Sequence, residues 1–90
     1  MGRVSRHTPK YLAKKLAAIR KSLGIETFDE MVSRLSVKEV SLYRSTICEY
    51  ENGKREPPLI VLLKYAKLVG ISTDDLIDDK VKIIRKLSGR

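Results

Sequence analysis

The sequence predicts an all-α domain, a bundle of five short helices, on three observations. Apolar residues recur at three- and four-residue spacing in successive segments. The segments open on capping residues or prolines, and three of them close on a glycine: Gly24, Gly53 and Gly70. Ninety residues make one small domain, enough for a modest core but not for an elaborate catalytic cleft.

Residues 1–8 have no apolar periodicity and read as a basic N-terminal arm. Thr8 as N-cap and Pro9 as first helical residue open the first helix, where the missing proline N–H costs nothing. Leu12, Leu16, Ile19 and Leu23 give its buried stripe, and Gly24 stops it. Thr27, with Glu30 three residues on, forms a capping box for the second helix, whose stripe is Phe28, Met31, Val32 and Leu35. The segment 36–43, "SVKEVSLY", mixes β-branched residues with serines and reads as a long connection with at most one helical turn. A third helix over Arg44 to Glu51 turns Ile47 and Tyr50 inward and ends at Asn52-Gly53. Pro57-Pro58 opens a fourth, with Leu59, Leu62, Leu63, Ala66 and Val69 inward. Ser72 or Thr73 caps a short fifth helix carrying Leu76 and Ile77, with Asp74 and Asp75 at its positive end. In the tail, Val81 and Ile83 alternate like a strand, whereas Ile83, Ile84 and Leu87 fit a helix. Domain organisation is therefore an arm (1–8), a helical domain (9–79) and a tail (80–90) that packs or dimerises.

Charge narrows the function. The net charge is +8, and up to Ile25 the chain carries Arg3, Arg6, Lys10, Lys14, Lys15, Arg20 and Lys21 with no acid. Such asymmetry points to a polyanion, either nucleic acid or an acidic membrane surface. No apolar run approaches a membrane span, and no apolar segment of a signal peptide follows the basic start. The single cysteine suits a reducing cytoplasm. His7 and Cys48 form no nucleophile pair, Asp74-Asp75 and Asp78-Asp79 lack calcium-loop spacing, and no glycine-rich phosphate loop or zinc spacing occurs. No enzyme activity, metal or cofactor is expected.

The second helix, connection and third helix have the order of a helix-turn-helix, in which the start of the later helix enters the DNA major groove. Arg44, Ser45 and Thr46 supply guanidinium and short polar groups there, with Glu49 one turn further along the same side. Arg pairs with guanine, Ser and Thr are permissive, and Glu accepts from cytosine. Asn52, Lys54 and Arg55 then form a turn suited to a phosphate. Ser-Thr also caps helices and a basic turn also complements a helix dipole, so the local pattern leaves both readings open.

The stretch "RSTICEYENGKREPPLIVLLKYAKLVGISTDDLI" (44–77) resembles the second half of the Cro and lambda-repressor-like (XRE) helix-turn-helix family, and "LAKKLAAIRKSLG" (12–24) resembles its first helix. The likeness runs from about Lys10 to Asp79. It implies a five-helix lambda-repressor-like DNA-binding domain. It also implies base contacts from Arg44, Ser45, Thr46 and Glu49, and backbone contacts from Asn52, Lys54 and Arg55. Arg20 and Glu51 fall where the family ties its first helix to its third with a partly buried ion pair, which makes Arg20 structural rather than a DNA contact. The chain departs from the family twice. Phe28 stands where a glutamine commonly holds a phosphate, which leaves the backbone amides at that helix start for the anion. The connection 36–43 is also several residues longer, which either moves the third helix in the groove or lets Lys38 and Tyr43 add DNA contacts.

The fourth helix is apolar nearly all round, because Ile60, Val61 and Leu68 replace residues that are usually polar in the family. Surplus apolar surface calls for a cover, and Ile60, Val61, Leu68, Ile83 and Ile84 are the expected packing, dimer or partner surface. The expected function is a bacterial or phage-type transcriptional regulator, a repressor, cytoplasmic and at the nucleoid, binding double-stranded DNA as a homodimer. The alternative is an antitoxin that covers a toxin with the same apolar surface. A basic membrane-surface or RNA module is a third reading, disfavoured because no amphipathic membrane helix with bulky aromatics and no stacking platform is visible.

Overall fold

The computed structural model describes residues 9–83 and Leu87. Within them the five predicted helices are complete: α1 (Leu12–Ser22), α2 (Phe28–Leu35), α3 (Arg44–Glu51), α4 (Leu59–Val69) and α5 (Thr73–Ile77). No strand occurs among the described residues, and Ile83 and Leu87 are helical, which decides the tail's ambiguity.

Local chemistry sets most boundaries. Thr27 Oγ1 accepts the Glu30 amide at 3.1 Å and starts α2. At α5, Ser72 Oγ accepts from the Asp75 amide at 3.2 Å while the Asp75 carboxylate accepts from the Ser72 amide at 3.1 Å, a reciprocal box. Gly24, Gly53 and Gly70 all take positive φ after a helix, and Ser36 takes the same conformation after α2 (φ 51°). The start of α1 is different. Pro9 lies outside the helix, which begins at Leu12, and Thr8 falls outside the described residues. The Asp79 carboxylate reaches across the fold instead and accepts the Lys10 and Tyr11 amides at 3.0 and 3.2 Å. A carboxylate from beyond α5 thus serves the end that a local threonine was expected to serve.

The connection 36–43 contains no helical turn; it bends at residues 38–40. Val37, Val40 and Leu42 are half-buried against the core, which pins the longer loop and lets α3 lie directly on α2. α1 runs across α3, α4 and α5, and α4 rests on α2 and α5. Leu16, Ile19, Met31, Ile47, Tyr65 and Leu76 fill the centre, each essentially without solvent contact.

Two expectations about apolar surface are corrected. On α4 the inward residues are Val61, Leu62, Tyr65, Ala66 and Val69, whereas Leu59 and Leu63 are 71% and 37% exposed. Val61 and Ile83 are interior, so neither presents surface to a partner, and Ile60 and Leu68 are half-buried at the edge of the core. Ile84 lies outside the described residues. Lys64 and Lys67 lie away from the buried stripe, and with more apolar residues on α4 than one face can cover, its neighbours choose which of them are buried. Because Ile83 and Leu87 join the core, the packed unit does not stop at Asp79.

Candidate nucleic-acid interface

The third helix is held from behind by one polar cluster. Arg20 on α1 donates through Nε and Nη2 to the two carboxylate oxygens of Glu51 at 2.8 and 3.1 Å. Its Nη1 donates to the Ile25 carbonyl at 2.9 Å, and its guanidinium stacks 4.9 Å from the Phe28 ring centre. The expected ion pair is therefore present, with side chains only 13% and 7% exposed. Phe28 covers Arg20 from the start of α2. Arg20 is consequently structural and points no charge at a ligand.

The outward face of α3 carries the residues expected to contact DNA. Arg44 and Ser45 are exposed, and Thr46 and Glu49 are half-buried, while Ile47 and Tyr50 seal the opposite side. Tyr43, 65% exposed, stands at the N-cap position, and Thr46 Oγ1 accepts the Tyr43 amide at 3.2 Å. Thr46 thus does local capping work. Tyr43, Ser45, Thr46, Glu49 and Arg55 surround one shallow depression together with Val40 and Ser41 of the long connection. Lys38 is exposed on the bend, outside that group.

Several of these groups already have partners. Arg55 Nε donates to Glu49 Oε1 at 2.7 Å. Asn52 Nδ2 donates to Cys48 Sγ at 3.3 Å. Arg44 Nη1 lies 3.9 Å from an Asp29 carboxylate oxygen, both side chains being largely exposed, a pair too open to hold Arg44 firmly. Lys54 is exposed, and its amide closes the turn on the Glu49 carbonyl at 2.9 Å.

At the start of α2, Thr27 Oγ1 accepts one of the first-turn amides, and Asp29 and Glu30 set two exposed carboxylates beside the others.

Lys15 and Asp79 are the residues that sequence reasoning missed. Lys15 is 6% exposed and donates from Nζ to the Asp75 and Asp78 carbonyls at 2.8 and 2.7 Å, at the C-terminal end of α5. Burial pushes its ammonium below the ordinary lysine range, while the Asp79, Asp78 and Asp75 carboxylates pull it back up. A signal was available: Lys15 lies three residues after Leu12 and four before Ile19, on the buried stripe of α1. Nothing local marked Asp79. With Lys15 and Arg20 committed inside, the described cations of the acid-free segment that remain exposed are Lys10, Lys14 and Lys21. Arg3, Arg6 and His7 lie outside the described residues.

Among the described residues no cluster of three or more His, Cys, Asp or Glu side chains is arranged for a metal, and no helix is long and apolar enough to cross a membrane. A family model described as a helix-turn-helix domain matches residues 13–80, which takes in all of α2 to α5 and most of α1. No curated protein and no solved structure matches the chain.

Proposed function

Because the chain belongs to the helix-turn-helix domain family, a DNA-binding family, we propose that it is a transcriptional repressor that reads duplex DNA with α3 in the major groove. The observation that carries this reading is the division of α3 into two faces. Ile47, Tyr50 and the Arg20–Glu51 pair fix one side to the core, while Arg44, Ser45 and Glu49 stand outward beside the Arg55 turn. A rigid helix bearing guanidinium, hydroxyl and carboxylate groups on its free face suits direct reading of base edges. Lys10, Lys14 and Lys21 add sequence-independent attraction, which makes affinity fall steeply with salt.

One helix of eight residues reads few bases, so the protein works as a homodimer on a two-fold operator. Leu59, Leu63 and Ile77 are exposed large apolar residues, and Leu59 and Ile77 border one depression with Pro9 and Pro58. They replace Val61 and Ile83 as the surface for the second copy.

The test is selection from a random duplex pool at near-physiological salt, with mass measurement of the bound protein. A recurring inverted repeat with half-site centres about 34 Å apart is expected. Salt-sensitive binding without enrichment would refute sequence reading. The antitoxin reading draws on the same exposed leucines, and a stoichiometric small protein co-purifying through them would favour it.

A further inference from the structure

The sequence gives Glu49 and Arg55 separate tasks on DNA, one on a base and one on the backbone, but the fold joins them. Arg55 Nε donates to Glu49 Oε1 at 2.7 Å across the turn that ends α3. The turn closes on the same residue, since the Lys54 and Arg55 amides approach the Glu49 carbonyl at 2.9 and 3.4 Å. Gly53 permits this reversal by taking a left-handed conformation (φ 76°). Its own space is not the constraint, because a Cβ there would meet only Ala13 Cβ at 3.8 Å.

Among the described residues, neither Glu49 Oε2 nor the Arg55 Nη groups have hydrogen-bond partners. The pair therefore keeps a spare acceptor on Glu49 and spare donors on Arg55. An unpaired carboxylate on this face would be repelled by the phosphates and would sample several rotamers. Pairing removes both obstacles: it neutralises the charge and selects one side-chain geometry. In the free protein the pair is substantially exposed, 60% and 40% at its side chains, so it adds little to stability. On DNA, where water is excluded, the same contact strengthens.

We infer that Arg55 is a positioning residue for base reading: its Nε fixes Glu49 toward a base edge while its Nη groups take a backbone phosphate, so the two residues read one base pair as a unit. This rests on the DNA-reading function proposed above. The natural target for a single carboxylate acceptor is the cytosine amino group.

The experiment measures affinity for the selected operator and for all its single-base variants, by competition, with wild type, Glu49→Ala, Arg55→Ala, Lys54→Ala and the Glu49→Ala/Arg55→Ala double variant. All the changes are at exposed or half-buried positions, and circular dichroism melting checks the fold. Arg55→Ala is expected to flatten preference at the same base pair as Glu49→Ala, by about fivefold. The double variant should flatten it no further. Lys54→Ala, one residue away on the same turn, should weaken every sequence evenly and keep the preference profile. An Arg55→Ala protein with reduced affinity but the full wild-type profile would overturn the inference and leave DNA reading intact. A Glu49→Ala protein with an unchanged profile would do the same. A wild type with no preference at all would overturn both the inference and the function on which it rests.

Discussion

Replacing Glu51 with leucine removes one half of the pair that holds α3. The change strands the Arg20 guanidinium, 13% exposed, with only the Ile25 carbonyl and the Phe28 face left to it. Breaking a buried ion pair costs about 3–5 kcal/mol. The partial access of Arg20 to water and its two surviving contacts put this case near the lower end. A domain of this size holds about 5–13 kcal/mol in total, so the single change consumes a large share of it. Replacing Arg20 with methionine as well removes the stranded charge, and the double variant should return to within about 1 kcal/mol of wild type. Urea unfolding followed by far-ultraviolet circular dichroism suits a chain without tryptophan, and the two single variants with the double complete the cycle. Costs below about 1 kcal/mol for Glu51→Leu, or strictly additive single costs, would refute the claim that the pair is desolvated and coupled.

Four other outcomes are expected. Arg44→Ala should cost about 1–3 kcal/mol on the selected operator and relax preference at one base pair, read by the same competition assay. Asp29→Asn removes an exposed carboxylate 3.9 Å from Arg44 and should tighten DNA binding by about 0.2–1 kcal/mol, the gain shrinking as salt is raised. Tyr65→Phe deletes a buried hydroxyl with no partner among the described residues and should raise stability by about 1 kcal/mol, a melting-point gain of about 4–8 °C. Lys15→Met should cost about 1–3 kcal/mol at neutral pH, through the loss of two charged hydrogen bonds. Because burial holds the folded Lys15 ammonium below its ordinary 10.5, the unfolded chain binds more protons just below that pH. Stability from this group therefore rises as pH climbs toward 10.5. Tyr50 and Tyr65 are pushed up by burial and act in the opposite sense above pH 10, so the comparison is wild type against Lys15→Met from pH 8 to pH 10.5.

Where the determinants are local, they were legible in the chain. Thr27 and Ser72 accept amides three residues beyond themselves and Ile47 and Tyr50 repeat at helical spacing, so α2, α3 and α5 appear where the sequence predicts them, while Gly24 and Gly70 supply the left-handed stops after α1 and α4. The Arg20–Glu51 pair was legible only through family resemblance, since the two residues lie 31 positions apart. The outward residues of α3 were likewise legible as types, but not their pairing, which depends on the reversal at Gly53. What the tertiary structure alone decided concerns groups that answer to distant partners. Asp79 serves the start of α1 because its carboxylate crosses the fold to the Lys10 and Tyr11 amides. Lys15 goes inside because the carbonyls ending α5 lie within reach of its ammonium. α4 buries Val61 and Tyr65 and leaves Leu59 and Leu63 in solvent because its apolar residues exceed what one face can cover, and the positions of α1, α2 and α5 decide which of them are buried.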